Sequence, residues 1–303
     1  MAKKQVILVI LDGWGIGAKN DSNAIYAQGT PNIDYLKENF LIGALQTSGI
    51  SIGLPSGIEG NAEGHQTISA GRIVYQHYPR ITLSIKDGSF AKNRVFLDAF
   101  DHAKQNNSAL NLVGLLTEGT VHASFNHLIA LIKLAKENGV NKINLHLFTD
   151  GKDSDPKAAL KLAGSLLYEA GRDDVAQIGS VAGRYFALDR ESHWDRTQKT
   201  YNAMLGDAVK AENLEKFIED SYQKNLTDFY IEPTVINLDR IIKNGDALLF
   251  FNFREDSIRQ IVSPFVLPDF SEFPVKKLDN LYIGTMTHYS DKFNVPVAYP
   301  PEK

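Results

Sequence analysis

The sequence contains no cysteine. This excludes disulfide bonds, thiolate catalysis and Cys-ligated metal sites, and it suits a reducing compartment. The chain also has no run of about 20 apolar residues, the length that a helix needs to cross a bilayer. Residues 6–11 are apolar over the length of a strand only, and Asp12-Gly13-Trp14-Gly15 does not follow a secretory leader. We therefore expect a cytoplasmic protein.

An excess of positive charge is also absent. The chain carries 32 Lys and Arg against 36 Asp and Glu, a net charge of −4. A nucleic acid or an anionic membrane would favour a basic face, so we expect neither as a partner. The length of 303 residues, with 43% hydrophobic and 22% charged residues, is typical of a globular protein of about two domains.

Short β-branched runs alternate with amphipathic stretches along the whole chain. The predicted strands are 6–11, 41–47, 109–116, 142–148, 176–181, 247–251 and 281–285; the predicted helices are 31–40, 95–105, 124–138, 156–170, 194–205, 213–224 and 258–265. Strands that alternate with helices of this length indicate βαβ units. The sequence therefore predicts an α/β fold with a mostly parallel sheet.

Residues 48–76 differ from the rest because they contain six glycines and show neither helical nor strand periodicity. The segment is either a long surface loop or a loop whose backbone approaches a ligand closely. Loops of this length in compact domains are usually functional.

Asp12 follows the first predicted strand and precedes a glycine. A carboxylate at the carboxyl end of a strand is a candidate ligand for a divalent cation. Asp-Gly is also a common turn dipeptide, and the residues alone leave both interpretations open.

Cationic side chains follow four later strands. His122, Lys152, Arg184 and Arg254 each come after a predicted strand, and Arg190 lies in the segment that begins with Arg184. Each alone would be taken as a surface charge. Because the carboxyl ends of parallel strands share one edge of a sheet, the set together predicts an anion site.

Several motifs give the chain a specific resemblance. The first two are Asp12-Gly13-Trp14-Gly15 and the segment from Gly53-Leu54-Pro55 to Gly71-Arg72-Ile73-Val74-Tyr75-Gln76. The others are Thr149-Asp150-Gly151-Lys152-Asp153, Gly183-Arg184-Tyr185 with Asp189-Arg190 and Trp194, Phe250-Phe251-Asn252-Phe253-Arg254, and Met286-Thr287. In this order they resemble motifs of the cofactor-independent phosphoglycerate mutases, metalloenzymes of the alkaline-phosphatase superfamily.

This resemblance implies an isomerase of glycolysis and gluconeogenesis that interconverts 3-phosphoglycerate and 2-phosphoglycerate through a metal-activated phosphoserine. Carried over by position, Asp12 would bind manganese, one of two ions in the complete enzyme. His122, Lys152, Asp153, Arg184, Arg190 and Arg254 would contact the substrate. Residues 1–76 would be part of an incomplete phosphatase-like metal domain, 77–290 a complete substrate-binding transferase domain, and 291–303 a connector.

The sequence departs from the family at the nucleophile. Gly60-Asn61-Ala62-Glu63-Gly64-His65 is one residue shorter than the family motif, with Ala62 in place of the serine. Alternatively, the serine itself is missing and Ala62 is its altered neighbour. Ser56, Thr67 and Ser69 are nearby hydroxyls, but none is in register.

The cationic residues also depart from the family. Lys152 replaces an arginine and Ser257 stands where a second arginine would follow Arg254, while Glu118 and Thr120 replace an aspartate and a glycine. Lysine keeps the charge but loses the planar fork. Each change is expected to weaken phosphate binding.

Family members continue well beyond the length of this chain and carry most of their metal ligands there. We therefore expect exposed apolar surface before residue 76 and no turnover by the isolated chain. The alternatives are a non-catalytic phosphoglycerate-binding module, or one half of a split enzyme whose other half is a separate chain.

Overall fold

The structure, a computed structural model, describes residues 5–171 and 173–301. Contacts between residues divide the chain into two compact units, Met1–Gln46 and Thr47–Lys303. The predicted α/β class is confirmed, and the mostly parallel sheet lies in the second unit.

The first unit contains two short helices. Helix α1 spans Ala24–Gln28, and the side chain of Asn23 caps it by accepting a hydrogen bond from the amide of Ile25. Helix α2 spans Pro31–Asn39 and begins with proline at its first position, as predicted.

The two strands predicted before residue 48 do not form. Residues 6–11 and 41–47 have no regular secondary structure, and their apolar side chains are exposed, Val6 to 90%. A strand is held by hydrogen bonds to a neighbouring strand, and neither segment pairs with a strand among the described residues. The strand predictions were wrong here, whereas the exposure of apolar surface was expected.

The glycine-dense segment is more regular than predicted. It contains a single 3-10 turn, Gly49–Ile52, and helix α3, Asn61–Ala70, which ends at Gly71. Gly53 has a φ of 81°, and a Cβ there would lie 2.0 Å from the carbonyl oxygen of Val74. Glycine is therefore required where the two ends of this segment approach each other.

The second unit then alternates helices with strands. In chain order they are α4 (His77–Asp87), α5 (Arg94–Gln105), β1 (Leu110–Leu116), α6 (Phe125–Glu137), β2 (Ile143–Thr149), α7 (Ala159–Glu169), β3 (Ala176–Gly183), α8 (Arg184–Ala187), α9 (Trp194–Met204), β4 (Val209–Lys210), α10 (Leu214–Gln223), β5 (Thr234–Val235), β6 (Ala247–Phe250), α11 (Glu255–Val266), β7 (Tyr282–Thr287) and β8 (Val297–Tyr299). Every element predicted after residue 90 is present, with ends shifted by a few residues.

The strands form one sheet in the order β4-β5-β3-β2-β1-β6-β7-β8. All neighbouring pairs are parallel except β3 with β5. The chain runs outward from β1 through β2 to β3 and then returns to the other side of β1 with β6. The strand order therefore reverses between β1 and β6, and open α/β sheets bind ligands at the carboxyl ends of strands beside such a reversal.

The middle of the sheet forms the core. Strands β1 and β2 are buried along their whole length, as is usual for central parallel strands. The carboxyl-terminal residues, predicted as a connector, include β8, and the Tyr299 hydroxyl lies 2.6 Å from Oγ of Ser84. This part of the chain is therefore an edge strand of the sheet that also contacts helix α4.

Among residues 5–171 and 173–301, no helix has the length and apolar character needed to span a membrane.

Candidate anion-binding site

Four loops bring polar side chains to one edge of the sheet. They follow β1, β2, β3 and β6, the four central strands, at their carboxyl ends. The loops carry Thr117 and His122, then Asp150, Lys152, Asp153 and Ser154, then Arg184 and Arg190, and finally Arg254, Asp256 and Ser257. The site is therefore assembled from both sides of the strand-order reversal.

Arg184 is the centre of these contacts. It is the first residue of α8, directly after β3, and its side chain is only 10% exposed. Nη1 donates to Oδ1 of Asp150 at 2.6 Å and to Oδ2 of Asp153 at 2.8 Å. Nη2 lies 2.7 Å from Nε2 of His122. One guanidinium thus joins the loops after β1, β2 and β3.

Asp150 is a buried carboxylate with several donors. Its Oδ2 accepts hydrogen bonds from the hydroxyls of Thr117 at 2.7 Å and Ser154 at 2.9 Å. Burial raises the pKa of Asp150, but the hydrogen bonds from Thr117 and Arg184 outweigh burial and hold this pKa below its usual value. Asp150 therefore stays ionised and orients Arg184.

His122 is buried beside Arg184. Its pKa is lowered to about 4, first by burial and then by the positive charge of Arg184, while Asp153 acts in the opposite direction. Nδ1 lies 2.8 Å from Oγ of Ser257. At neutral pH the imidazole is uncharged, so it contacts its neighbours through neutral hydrogen bonds and adds no positive charge to the site.

Arg190 and Arg254 share one carboxylate. Nη1 of Arg190 donates to Oδ2 of Asp256 at 2.5 Å, and Nε and Nη2 of Arg254 donate to the two oxygens of Asp256 at 3.0 Å. Burial raises the pKa of Asp256. The hydrogen bond and charge of Arg254, together with the charge of Arg190, outweigh burial and hold this pKa below its usual value. Both arginine side chains remain about half exposed. These two guanidinium groups are accessible to a ligand.

Lys152 lies exposed in the turn after β2. No ion pair joins it to any other residue within 5–171 and 173–301. The turn is formed by Gly151, whose φ is 64° and whose Cβ position would lie 2.7 Å from the amide nitrogen of Phe229. Lys152 is therefore a cation available to a ligand.

The loop that carries Arg190 is held by its neighbour Asp189. This carboxylate accepts hydrogen bonds from Nη1 of Arg196 at 2.9 Å and from Nε2 of Gln260 at 3.1 Å. The Oε1 atom of Gln260 accepts a hydrogen bond from the amide of Ser192 at 3.1 Å. Helix α11, which supplies Asp256 and Gln260, therefore supports Arg190 from two positions.

Ala62 takes no part in these contacts, and Asp12 belongs to the other compact unit. Ala62 is exposed in the first turn of α3 and offers no oxygen. Asp12 lies in a turn of the first unit. No group of three or more His, Asp or Glu side chains within residues 5–171 and 173–301 is arranged to hold a metal ion. The described residues therefore do not fit a manganese site by themselves.

The structure brings together most of the residues that the sequence singled out, and it adds others. Direct contacts join His122, Asp153 and Arg184, whereas Arg190 and Arg254 meet through Asp256. Sequence analysis missed Thr117, Asp150, Ser154, Asp189, Asp256 and Gln260 as contributors. Asp150 directly follows β2, the strand that also precedes Asp153, and could have been found by the strand-end criterion, whereas Gln260 lies within a helix and carried no such signal.

The chain also matches known proteins. The family model described as "BPG-independent PGAM N-terminus (iPGM_N)" matches residues 81–291. The 2,3-bisphosphoglycerate-independent phosphoglycerate mutase 1 of Methanosarcina barkeri (strain Fusaro / DSM 804) is 44% identical over 310 residues, a match that covers 100% of this chain and 60% of that protein. The corresponding mutase of Clostridioides difficile (strain 630) is 42% identical over 309 residues, with the same coverage of both chains.

A solved structure shows the same fold. The crystal structure of Leishmania mexicana phosphoglycerate mutase at low cobalt concentration matches with a TM-score of 0.72 and 26% identity, covering 97% of this chain and 57% of that chain. This chain thus spans about 60% of the length of the curated relatives it matches. Since the family model covers well over half of the chain, the chain belongs to the family of the BPG-independent phosphoglycerate mutase N-terminus.

Proposed function

We propose that this chain is the phosphoglycerate-binding part of a cofactor-independent phosphoglycerate mutase, an isomerase of glycolysis and gluconeogenesis that acts in the cytoplasm. One observation carries this proposal: Arg184, Arg190 and Arg254 converge with Lys152 at the carboxyl ends of the central strands.

The charges of this cluster suit a small substrate that carries two anionic groups. Three carboxylates, Asp150, Asp153 and Asp256, partly neutralise four cations, so the cluster keeps a positive charge when His122 is neutral. Arginine binds phosphate and carboxylate oxygens through two parallel N–H bonds. Phosphoglycerate presents a phosphate at one end and a carboxylate at the other, and thus offers acceptors to cations on both sides of the strand-order reversal.

The exposed cations are the groups we assign to the ligand. Arg190 and Arg254 would exchange part of their contact with Asp256 for ligand oxygens, and Lys152 would add a third positive charge. The buried Arg184 would donate a remaining N–H group to the ligand while Asp150 and Asp153 accept hydrogen bonds from its Nη1 atom. His122 and Asp153 would contact the glycerate hydroxyls.

We assign ligand binding, but no catalytic turnover, to this chain alone. The side chain of Ala62 cannot attack phosphorus, and the described residues do not form a manganese site. In the complete mutase, Asp12 would be one ligand of a metal site whose other ligands come from elsewhere. Mn²⁺ is our proposed ion because carboxylate ligands such as Asp12 suit it.

Ala62 favours a second candidate function, a non-catalytic module that binds phosphoglycerate. Loss of the nucleophile removes chemistry and leaves the cationic cluster intact. The two candidates predict the same binding and differ in whether the chain acts as part of a larger mutase or as a binding module by itself.

Titration calorimetry of the chain with 3-phosphoglycerate tests the binding. We expect saturable binding that weakens about tenfold in Arg190→Ala and in Arg254→Ala, since a charged hydrogen bond is lost in each. Arg94→Ala is the matched control, because Arg94 is an exposed arginine paired with Asp98 on helix α5. Absence of heat with the unaltered chain would refute the binding function.

A coupled assay for 2-phosphoglycerate in excess Mn²⁺ tests the assignment of turnover. We expect no steady conversion by the isolated chain. Sustained conversion would show that another hydroxyl replaces the missing serine and would overturn the role assigned to Ala62.

The exposed apolar residues 6–11 favour a protein partner for the first unit. We propose that a separate chain, or a further part of the enzyme, covers them with the missing half of the phosphatase-like domain. Co-purification of an Asp- and His-rich chain would support a split enzyme, and a stable monomer in light scattering would count against it.

A further inference from the structure

We propose that Ser257 is a positioning residue that fixes His122 in the neutral tautomer with its proton on Nδ1. The consequence for ligand binding rests on the function proposed above, whereas the tautomer follows from the contacts of His122 alone. The sequence by itself indicates at Ser257 only the loss of a cation.

The first step concerns Nε2 of His122. This atom lies 2.7 Å from Nη2 of Arg184. A guanidinium can only donate hydrogen bonds and keeps its charge in proteins. Nε2 must therefore be the acceptor and carry a lone pair, so the proton of the neutral ring is on Nδ1.

The second step concerns Nδ1. This atom lies 2.8 Å from Oγ of Ser257, which is 3% exposed. A serine hydroxyl oxygen accepts a hydrogen bond readily, so Nδ1–H donates to Ser257. Arg184 and Ser257 thus act on opposite sides of one imidazole and require the same tautomer.

The other protonation states conflict with these contacts. A proton on Nε2 would place an N–H against the N–H of Arg184. The carboxylate that could accept it, Oδ2 of Asp153, lies 3.8 Å from Nε2 and beyond hydrogen-bonding distance. The positive charge of Arg254 also disfavours the protonated, charged form of the His122 ring. The negative charge of Asp256 only partly offsets this effect.

The backbone holds Ser257 in place. The carbonyl oxygen of His122 accepts hydrogen bonds from the amides of Phe253 at 2.9 Å and Arg254 at 3.3 Å. Arg254 is the N-cap of α11, and Ser257 lies in the first turn of that helix. The same connection therefore sets the distance from the imidazole to the serine hydroxyl.

This arrangement gives Arg184 a third acceptor. Asp150 and Asp153 bind Nη1, and the lone pair of His122 binds Nη2. Without Ser257, a buried Nδ1–H would lack an acceptor, which disfavours that tautomer by about tenfold. The other tautomer would then be populated, and it would push the guanidinium of Arg184 away.

Nuclear magnetic resonance of the ¹⁵N-histidine-labelled chain tests the tautomer directly. Long-range proton–nitrogen spectra distinguish a protonated ring nitrogen from a bare one, and His122→Gln identifies the His122 signals among the eight histidines. We expect the neutral form with a protonated Nδ1 at pH 7 in the unaltered chain. A protonated Nε2, in either a neutral or a charged ring, would overturn the proposal.

Three variants test the role of the serine. In Ser257→Ala we expect the fraction of protonated Nδ1 to fall, and in Ser257→Thr, which keeps a hydroxyl, we expect it to be retained. Ser263→Ala is the matched control, a buried serine of the same helix whose hydroxyl donates to the carbonyl of Arg259. An unchanged His122 spectrum in Ser257→Ala would overturn the positioning role.

Calorimetry with 3-phosphoglycerate completes the test. We expect Ser257→Ala to weaken binding by about five- to tenfold, with Ser257→Thr and Ser263→Ala close to the unaltered chain. If the unaltered chain binds no phosphoglycerate, the proposed function is wrong, and the spectra still decide the role of Ser257. If binding is intact in Ser257→Ala although the tautomer changes, the effect on Arg184 is refuted.

Discussion

The guanidinium of Arg184 donates to the buried carboxylate of Asp150 at 2.6 Å, and this contact joins the ends of β3 and β2. The pair is inaccessible to solvent on the side of Asp150, which is 1% exposed. A ligand therefore meets a guanidinium that is already fixed in place. Such pre-organisation lowers the entropy lost when the ligand binds.

Replacing this arginine should destabilise the chain strongly. Arg184→Met removes the charge and leaves two carboxylates near each other without their cation, and breaking a buried pair lowers the free energy of unfolding by about 3 kcal/mol or more. Urea denaturation at pH 7 measures the difference. Arg94→Met, which breaks an exposed pair with Asp98, should change the free energy by less than about 1 kcal/mol. Equal effects in the two variants would contradict the structural role of Arg184.

Acid should destabilise the chain through a histidine inside the sheet. His146 is fully buried between Oγ of Ser180 at 2.8 Å and Oδ1 of Asn111 at 3.1 Å, and burial lowers its pKa to about 3. The unfolded chain protonates this histidine below pH of about 6.5, while the folded chain does not. The unfolded state therefore binds more protons, and the free energy of unfolding falls as the pH is lowered from about 6.5 toward 3.

Urea denaturation at several pH values checks this dependence. Between pH 6 and 4 we expect His146→Gln to reduce the slope by up to about 1.4 kcal/mol per pH unit, the contribution of one proton. His288→Gln alters a partly exposed histidine and serves as the control. An unchanged slope in His146→Gln would show that other groups cause the acid sensitivity.

A buried carboxyl group should change the free energy of unfolding with pH in the direction opposite to His146. Asp228 accepts a hydrogen bond from the hydroxyl of Tyr222 at 2.5 Å and another from the amide of Ala159 at 2.8 Å. Burial raises its pKa to about 6, although the hydrogen bond from Tyr222 lowers it. Because the folded carboxyl holds its proton more tightly than the unfolded one, its ionisation makes the free energy of unfolding fall as the pH rises from about 4 to 6.

Tyr222→Phe removes the hydroxyl that stabilises the ionised form. At pH 8 the free energy of unfolding should fall by about 1.5–3 kcal/mol, the contribution of a hydrogen bond to a charged group, and at pH 5 by less. Tyr230→Phe, at a half-exposed tyrosine of the same unit, should have little effect. Carbon-13 spectra of the Asp228 carboxyl should show a further rise in its pKa in Tyr222→Phe. A larger loss at pH 5 than at pH 8 would refute the ionised pair.

Fragments test where the folded unit begins and ends. The contacts separate residues up to Gln46 from the rest, so a fragment 47–303 should keep the cooperative unfolding and the phosphoglycerate affinity of the chain. A fragment 77–290 loses β8 and its hydrogen bond from Asn93 to the carbonyl of Ala298. We expect the shorter fragment to be less stable by a few kcal/mol in urea denaturation.

Equal stability of the two fragments would show that 77–290 is the complete domain. Loss of cooperative unfolding in fragment 47–303 would instead show that the first unit stabilises the second. Dye binding to exposed apolar surface should decrease when residues 1–46 are removed, because the residues 6–11 are exposed.

The positions of the predicted site residues followed from local pattern. His122, Lys152, Arg184 and Arg254 each follow a strand, and parallel strands bring their carboxyl ends to one edge. That reasoning required only the type and order of the elements. It failed for residues 6–11, where the apolar pattern of a strand is present but no described strand pairs with it.

The partners of those residues could not be predicted from the chain order. Asp150 and Arg184 come from neighbouring strands, but His122 and Ser257 are 135 residues apart and meet only because β1 lies beside β6. The sequence therefore indicated a lost cation at Ser257, whereas the fold places its hydroxyl against an imidazole.

The sequence by itself determined the α/β class, the family and the edge of the sheet at which polar side chains gather, because periodicity and motifs are local properties of the chain. It also determined that Ala62 provides no nucleophile. Only the tertiary structure decided that Arg184 is buried among three acceptors, that Asp256 holds Arg190 and Arg254 together, and that Ser257 contacts His122. Hydrogen bonds and pKa shifts depend on distances and burial, and these are set by the strand order that brings distant segments into contact.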